Sequence, residues 1–306
     1  MKFSIALPTD RVDLPDEFIT AEAVAEVAST VERLGLDAVF VTDHPAPDDR
    51  WLSGGGHHAL EPTVALSFAA AATSTVRLHT NIFVLAYRNP FLAAKALASL
   101  DVLSGGRLIC GVAAGYLRPE FGALGVDFDR RNDLTDESIG VLRSAWSGHT
   151  VAGETGEWRA RGVTQLPAPA SMPPIWVGGN TDRAMKRAAE IGDGWSPFPT
   201  SSGLARAAKT TDLSSVAQLA DRITRLRELR NSAGRTGDFD VCCGPFNLGG
   251  YFSGALPPSA MLDELGEMAR AGVTWTTAII PGLSLSEWSE RLEAFVAEIV
   301  VPLGSL

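Results

Sequence analysis

The stretch from Leu78 to Tyr116 limits the possible folds of this chain more than any other. It contains an apolar run, an alanine- and leucine-rich segment that extends to Leu103, a turn at Gly105, and a second apolar run that ends at Gly115. Two parallel strands can be neighbours only when a long crossover, usually a helix, connects them. The stretch therefore predicts a strand, a crossover helix and a second, parallel strand.

Both predicted strands end in residues that suit a binding site better than a packed core. Asn81 interrupts the end of the first strand, and Ala113, Ala114 and Gly115 leave the end of the second almost without side chains. Bare backbone at the carboxyl end of a strand lets a flat ligand approach closely. We therefore expect this stretch to form the wall of a cofactor site.

The rest of the chain alternates short apolar runs with segments of helical period. Further strands are predicted at 3–7, 38–42, 175–177, 195–199, 239–243 and 275–280, and further helices at 20–34, 62–73, 135–146, 182–191, 216–233, 259–271 and 286–301. Eight strands alternating with eight helices predict an α/β protein, a single (β/α)8 TIM barrel domain over residues 1–306. The alternative is a doubly wound sheet, but this chain lacks the G-x-G-x-x-G motif that such a fold carries after its first strand.

Two segments depart from this alternation. Residues 46–58 are rich in Asp, Pro and Gly and are predicted to be a long loop after the second strand. Residues 149–174 have no helical period and predict a hairpin or lid, inserted between the fourth helix and the fifth strand.

The charge of the chain limits its partners. The formal net charge is −10 at pH 7, whereas nucleic acids and anionic membrane surfaces both require a basic footprint. No window of about 18 uninterrupted apolar residues occurs, and the N-terminus lacks the regions of a signal peptide. We expect a cytoplasmic protein with a small-molecule substrate and with neither nucleic acid nor membrane as a partner.

The cysteines and histidines do not predict a metal site. Cys110, Cys242 and Cys243 are interpreted as buried thiols in a reducing compartment. His57 and His58 are adjacent and therefore poorly placed to chelate one ion together, and no H-x-H or H-E-x-x-H motif occurs. Metal catalysis is therefore not predicted.

A second candidate binding element follows the fifth strand, where Gly178, Gly179, Asn180 and Thr181 precede a helix. Free backbone N–H groups and the positive end of the helix would point at one spot there, and the Asn and Thr side chains would add donors. The segment predicts a phosphate site. The alternative is a plain turn whose glycines are chosen for shape.

Several of these segments together resemble one family. The strand TNIFVLAYRNP, the helix AKALASLDVLSGGR, the strand GVAAGY, and PPIWVGGN followed by AAEIGDGW are similar to the luciferase-like monooxygenase superfamily, most closely to its branch that uses the deazaflavin coenzyme F420. The resemblance covers nearly the whole chain. It implies a (β/α)8 barrel with a flavin or deazaflavin at its carboxyl face, and a non-prolyl cis peptide between Asn81 and Ile82.

The resemblance also implies roles for the residues at the strand ends. Residues 113–115, with Tyr116 beside them, would line the ring or ribityl chain, and Gly178 with Gly179 would hold the phosphate. Asp43 and His44 match a pair that contacts the ring system and brings a histidine to the substrate side. A histidine near neutral pKa can exchange the proton that accompanies hydride transfer; the alternative is that His44 only hydrogen-bonds the cofactor.

Other residues bear on the substrate and on how the cofactor tail could be held. Relatives that oxidise sugar phosphates carry a Glu at the position of Tyr116 and a Trp shortly after the histidine, whereas Trp51 is displaced here, which argues against a sugar phosphate. His79 is interpreted as a hydrogen-bonded structural histidine. A set of arginines could form a basic rim for a polyglutamate coenzyme tail, or could be solvated or paired with carboxylates: Arg88, Arg118, Arg130, Arg131, Arg159 and Arg161.

Three functions remain open on the sequence. The first is an oxidoreductase that moves a hydride between coenzyme F420 and a small organic substrate. The second is a monooxygenase of the same superfamily that uses FMN and molecular oxygen, and the third is a non-catalytic flavin-binding protein. The helix at 62–73 is apolar nearly all round, and with the resemblance it predicts a homodimer.

Overall fold

The alternating segments of the sequence form eight parallel strands and eight main helices in residues 1–155, 158–207 and 210–304, the part of the chain that the computed structural model describes. The strands are β1 (Lys2–Ala6), β2 (Ala38–Val41), β3 (Arg77–Thr80), β4 (Leu108–Ala113), β5 (Ile175–Gly178), β6 (Gly194–Ser196), β7 (Asp240–Val241) and β8 (Trp275–Ala278). The helices are α1 (Ala21–Arg33), α2 (Pro62–Ala72), α3 (Pro90–Ser104), α4 (Arg131–Trp146), α5 (Asp182–Ile191), α6 (Val216–Ser232), α7 (Pro258–Ala271) and α8 (Leu285–Phe295).

Short elements connect these. Single helical turns lie at Pro15–Phe18, Asp49–Ser53, Arg118–Ala123, Ser202–Ala207 and Leu248–Phe252, with 3-10 turns at Leu85–Tyr87 and Phe128–Arg130 and a π-helical turn at Val296–Val300 after α8, followed by Val301–Leu303.

The strands close into a barrel. Their order is β7-β6-β5-β4-β3-β2-β1-β8, and every pairing along this path is parallel. A parallel bridge between Cys242 and Trp275 connects the end of β7 to β8. The predicted (β/α)8 barrel is therefore confirmed.

The central strand, helix and strand have clear local causes. Asn89 accepts hydrogen bonds from the N–H groups of Phe91 and Leu92, and Pro90 occupies the first turn, so α3 begins there. The helix ends at Gly105, whose φ of 75° is favourable for glycine. Helix α3 then returns the chain so that β4 pairs in parallel with β3.

Two predicted segments differ in detail. The segment 46–58, predicted as loop, contains the helical turn Asp49–Ser53, because the Asp48 carboxylate accepts a hydrogen bond from the N–H of Trp51. After β3 the chain forms a short strand, Phe83–Val84, which pairs with β4. The cis peptide between Asn81 and Ile82 lies between these two strands, as the resemblance implies.

The segment 149–174 contains an antiparallel hairpin, Val151–Thr155 with Trp158–Val163. Residues 156–157 of this predicted insertion lie outside the described part of the chain. The stretch after the hairpin contacts α3, where Gln165 donates a hydrogen bond to the carbonyl of Phe91 and Lys95 donates one to the carbonyl of Leu166.

The barrel interior is packed with aromatic side chains around one histidine. Trp176 lies edge-on to His79 and to Trp275, with centroid distances of 5.0 and 5.2 Å. His79 is fully buried, and its Nδ1 lies 3.2 Å from the hydroxyl of Ser4, which confirms it as a structural histidine. Burial, with a smaller contribution from the charge of Arg77, lowers its pKa to about 3.

The three cysteines are free and buried, as predicted. Burial raises the pKa of each thiol, so all three stay protonated at neutral pH.

Candidate active site

A cavity of about 290 Å³ lies at the carboxyl ends of the barrel strands. Twelve residues were predicted for the site, and eleven of them line this cavity: Asp43, His44, Asn81, Ile82, Ala113, Ala114, Gly115, Tyr116, Gly178, Gly179 and Thr181. The twelfth, Asn180, is absent from the lining. The structure thus brings together residues that are up to 138 positions apart in the sequence (from 43 to 181).

Two glycines let the segments of this wall pack closely. A Cβ atom on Gly178 would lie 1.9 Å from Cδ1 of Ile82, so a side chain at this position would displace the loop after β3. Gly115 has a φ of 77°, and a Cβ atom there would lie 2.7 Å from Val84. The cavity wall therefore depends on glycine for close packing as well as for access to a ligand.

Asp43 is buried beneath the cavity and neutralised by an arginine. Its carboxylate accepts hydrogen bonds from the N–H of Val84 at 2.8 Å and from both terminal nitrogens of Arg88 at 2.6 and 3.0 Å. The Arg88 guanidinium also lies over the ring of Phe83 at 3.9 Å. Arg88 therefore anchors the loop after β3 to β2 and is unsuited to a basic rim, which corrects one of the two readings of this residue.

His44 contacts a buried carboxylate that sequence reasoning missed. Its Nδ1 lies 3.4 Å from Oε2 of Glu120, whose side chain is fully buried. The hydroxyl of Tyr87 donates to the same oxygen at 2.6 Å, and the N–H of Ala46 donates to Oε1 at 3.3 Å. Glu120 and Phe121 are the buried residues of the turn 118–123.

Aromatic rings surround the imidazole of His44. Its centroid lies 4.3 Å from that of Trp51, 4.9 Å from that of His57 and 5.9 Å from that of Tyr116. Trp51, displaced in the sequence, reaches this position through the turn 49–53. Gly56 is needed for this packing, because a Cβ atom there would lie 2.3 Å from the indole ring.

His57 is a cavity residue that was considered earlier only as a metal ligand. Its Nδ1 lies 2.9 Å from the carbonyl of His58, and a carbonyl only accepts, so this nitrogen carries the proton. Burial, with a smaller contribution from the nearby His44, lowers the pKa of His57. His57 therefore offers an unprotonated Nε2 as an acceptor.

Tyr116 borders the same end of the cavity. Burial and the charge of Glu120 raise its pKa to about 12, so its phenol stays protonated at neutral pH and can donate a hydrogen bond.

The segment 178–181 differs from its prediction. The N–H of Gly179 donates to the carbonyl of Ser196, and the N–H of Asn180 donates to the Thr210 hydroxyl. The Asn180 side chain is fully buried, where it donates to the carbonyls of Phe198 and Thr211 and accepts from the N–H of Phe198. The hydrogen-bonding groups of this amide therefore brace the loop after β6.

The first turn of α5 retains free donors beside the cavity. The Thr181 hydroxyl caps the helix by accepting from the N–H of Ala184. The N–H groups of Thr181, Asp182 and Arg183 bond to no acceptor within the described residues, as is usual for a helix start. The free N–H groups thus begin about one residue further into the helix than the sequence predicted.

Two arginines line this end of the cavity, and one of them is paired with a carboxylate. Arg187, one turn further along α5, lines the cavity and is bonded to Asp136 and to Asn132. Arg131, at the start of α4, lies over the ring of Phe128 at 4.0 Å and also lines the cavity. Arg187 was not among the predicted site residues, although the helix that contains it was predicted.

Three further arginines of the predicted rim pair with carboxylates. The pairs are Arg118 with Asp129, Arg130 with Glu137, and Arg159 with Glu154. Within the described residues, no group of three or more His, Cys, Asp or Glu side chains is arranged to hold a metal ion. Among the helices described, none combines the length and apolarity needed to cross a membrane.

Comparison with known proteins gives consistent results. A family model described as luciferase-like monooxygenase matches residues 1–247. The F420-dependent hydroxymycolic acid dehydrogenase of Mycobacterium tuberculosis is 30% identical over 183 residues, which is 59% of this chain and 49% of that protein. The F420-dependent glucose-6-phosphate dehydrogenase of Nakamurella multipartita is 31% identical over 194 residues, or 62% and 55%. The chain thus matches about half the length of these relatives.

A solved structure extends the likeness to the whole fold. EDTA monooxygenase (EmoA) from Chelativorans sp. BNC1 superposes with a TM-score of 0.79 over 100% of this chain and 93% of its own, at 15% identity. At this identity the likeness supports a shared fold and carries no statement about substrate.

Proposed function

We propose that this chain, which belongs to the luciferase-like monooxygenase family, is an oxidoreductase that transfers a hydride between coenzyme F420 and a small organic substrate. The observation that carries the proposal is the cavity itself, which is lined by eleven residues chosen from the sequence for this chemistry. Hydride transfer requires a proton donor or acceptor, and His44 lies after β2 to act as one. The acidic tether of the cofactor requires donors, and the free N–H groups of α5 lie after β5. The F420-dependent relatives support the choice of cofactor.

The residues of the cavity fit such a cofactor. Ala113, Ala114 and Gly115 form a wall without large side chains, which would accept a flat ring. The free N–H groups of the first turn of α5, together with Arg131, would hold the acidic tether. When bound, coenzyme F420 supplies a carbon that accepts or donates the hydride.

The protein's own contribution to the reaction is a proton and a dry environment. His44, at Nε2, would give or take the proton that balances hydride transfer at an alcohol or carbonyl carbon. Trp51, His57 and Tyr116 surround this ring and would exclude water from the reacting groups. Cationic side chains are absent from this aromatic group, which favours an uncharged substrate over a sugar phosphate.

Fluorescence titration tests the cofactor directly. We expect coenzyme F420 to bind to the wild-type chain and to bind at least about tenfold more weakly to Ala114→Leu. The larger side chain would project from the wall into the space that the ring would occupy. Ala152→Leu, in the exposed hairpin, is the matched control and should bind normally.

The other outcomes separate the alternatives. Tight binding of FMN without a response to coenzyme F420, accompanied by oxygen consumption, would replace the proposal with an FMN-dependent monooxygenase. Binding of either cofactor without hydride exchange for any alcohol or carbonyl tested would indicate a non-catalytic flavin-binding protein.

We also propose that the chain forms a homodimer through α2 and α3. Val64, Phe68, Leu92 and Leu103 on these two adjacent helices are 49–83% exposed, which is unusual for large apolar side chains. Sedimentation velocity should give a dimer for the wild type and a monomer for Phe68→Glu. Leu283→Glu, an exposed apolar residue outside these helices, should remain dimeric, and a monomeric wild type at micromolar concentration would exclude the proposal.

A further inference from the structure

We infer that Glu120 is a positioning residue that holds His44 in the tautomer with the proton on Nδ1 and thereby reserves Nε2 for the substrate. The inference rests on the proposed function for its meaning in catalysis. Its structural content, the tautomer of one histidine, can be measured without any cofactor or substrate.

The hydrogen bonds around Glu120 determine how it can act. Its side chain is fully buried, and both carboxylate oxygens are in contact with donors. The Tyr87 hydroxyl remains a donor, because burial and its bond to Glu120 raise its pKa well above the ordinary value. The N–H of Ala46 can only donate. These two contacts fix the carboxylate in place from two different segments of the chain.

The third neighbour of this carboxylate is His44. An ionised carboxylate only accepts hydrogen bonds, so Nδ1 at 3.4 Å must carry the proton to interact favourably with it. The distance is long for a hydrogen bond, and such contacts often shorten when a ligand binds. The two ring nitrogens lie on different edges of the imidazole, and within the described residues Nε2 has no hydrogen-bond partner.

The rings around His44 restrict its orientation further. Trp51 lies over the imidazole with an interplanar angle of 40°, and His57 approaches it edge-on at 84°. Neither ring provides Glu120 with a positive charge, and no Lys or Arg nitrogen lies within 4.0 Å of this carboxylate in the described part of the chain. His44 is therefore the group on which a negative charge at Glu120 acts most directly.

A neutral imidazole without such a partner prefers the other tautomer or exchanges between the two, and which nitrogen is protonated follows from the bond that the other makes. Glu120 thus prevents the state in which Nε2 carries the proton of a neutral ring and cannot act as a base.

Nitrogen-15 NMR of histidine-labelled protein, recorded without cofactor, tests the inference. The chain has five histidines, and the signal of His44 is identified by its loss in His44→Gln. We expect Nδ1 of His44 to be protonated in the wild type and in Tyr87→Phe, which retains the carboxylate. In Glu120→Gln we expect the signal to move towards the tautomer protonated on Nε2.

Controls separate positioning from a purely structural role. Glu32→Gln removes a hydrogen-bonded carboxylate that accepts from the N–H groups of Ser74, Thr75 and Val76, remote from the site, and should leave the His44 signal unchanged. If Glu120→Gln does not fold, Glu120→Asp withdraws the carboxylate by one methylene group and should shift the same signal. A wild-type His44 protonated on Nε2, or an unchanged signal in both Glu120 variants, would overturn the inference.

Kinetics then connect the tautomer to the reaction. Glu120→Gln should lower kcat by about a hundredfold with little change in KM, because the substrate still binds but meets the wrong ring nitrogen. If Glu120→Gln lost about a hundredfold in kcat while its His44 signal stayed as in the wild type, Glu120 would have a merely structural role. If the wild type shows no turnover with any cofactor, the proposed function fails while the NMR result still decides the tautomer.

Discussion

One histidine of the barrel lies within a strand and another follows the neighbouring strand, and their surroundings are opposite. His79 lies within β3, where it pairs in register with Phe40 of β2, and His44 follows β2 four residues after Phe40. Because β2 ends at Val41, His44 lies beyond the strand, in the loop at the carboxyl end of the barrel. His79 is sealed among Trp176, Phe40 and the hydroxyl of Ser4, whereas His44 borders the cavity and contacts the Glu120 carboxylate.

The difference shows how position along a strand decides what a histidine can do. In the packed interior, burial disfavours the charged ring, so His79 is held neutral and contributes to packing. At the mouth of the barrel, loops bring a carboxylate and a ligand space to the ring, so proton exchange becomes possible. The following predictions test this contrast.

The largest effect is expected for His44. Replacing it with Gln should lower turnover by about 10²–10⁴-fold, the range of general acid–base catalysis, while thermal stability changes little because the side chain lies at a cavity edge. Steady-state kinetics with coenzyme F420 measure this, and His79→Asn serves as the control with near-normal turnover. Unchanged turnover together with unchanged cofactor affinity would exclude both roles considered for His44.

The second effect concerns the contribution of His79 to stability at low pH. Its pKa is about 3 in the folded chain and 6.5 as the reference value. The unfolded chain therefore binds a proton that the folded chain does not between these values, and the stabilisation present above pH 6.5 is lost as the pH falls towards 3. Between pH 7 and 4.5 this amounts to about 2–3 kcal/mol.

Urea unfolding of the wild type and His79→Asn at both pH values measures the difference. We expect the loss of unfolding free energy on acidification to be smaller in the variant by about that amount. Equal losses in the two proteins would contradict the sealed state of His79.

A smaller effect is expected at Trp51. Removing this ring in Trp51→Ala should lower kcat/KM by about tenfold, because His44 loses the surface over which it lies and water gains access to it. Trp51→Phe should restore most of the activity, since it retains a ring at this position. If the alanine variant were as active as wild type, the packing of Trp51 would have no part in catalysis.

The smallest effect is expected at Ser4. Ser4→Ala removes the hydroxyl next to Nδ1 of His79 and should lower the unfolding free energy by about 1 kcal/mol without changing turnover. Denaturant titration and kinetics on the same preparation give both values. A change in turnover would show that the barrel interior and the mouth are coupled, against the contrast drawn above.

Much of this arrangement was accessible from the sequence. The central strand, helix and strand, the count of eight units, and the positions of the strand ends follow from periodicity and from Gly and Pro signals. The helix at 182–191 was predicted with its observed bounds. Because all parallel strands end at one face, residues as distant as His44 and Gly178 could be assigned to one site before any coordinates were known.

The side-chain contacts between distant segments could not be derived from periodicity. Asn180 and Arg88 have side chains suited to ligands, but hydrogen bonds to neighbouring segments already occupy them. Glu120 and Trp51 reach His44 only through the short helical turns at 118–123 and 49–53. In each case the residue that makes the contact comes from a different segment of the chain. A local sequence pattern does not show which distant segments will lie side by side.

The sequence by itself determined the barrel, the face on which the site lies and eleven residues of the cavity wall at the strand ends, because these depend on periodicities and on strand ends that repeat along the chain. Only the tertiary structure decided which polar groups remain free for a ligand and which ring nitrogen faces a carboxylate. The physical reason is that hydrogen bonds are short and directional, so a shift of one or two ångströms between loops turns a potential ligand contact into an internal brace.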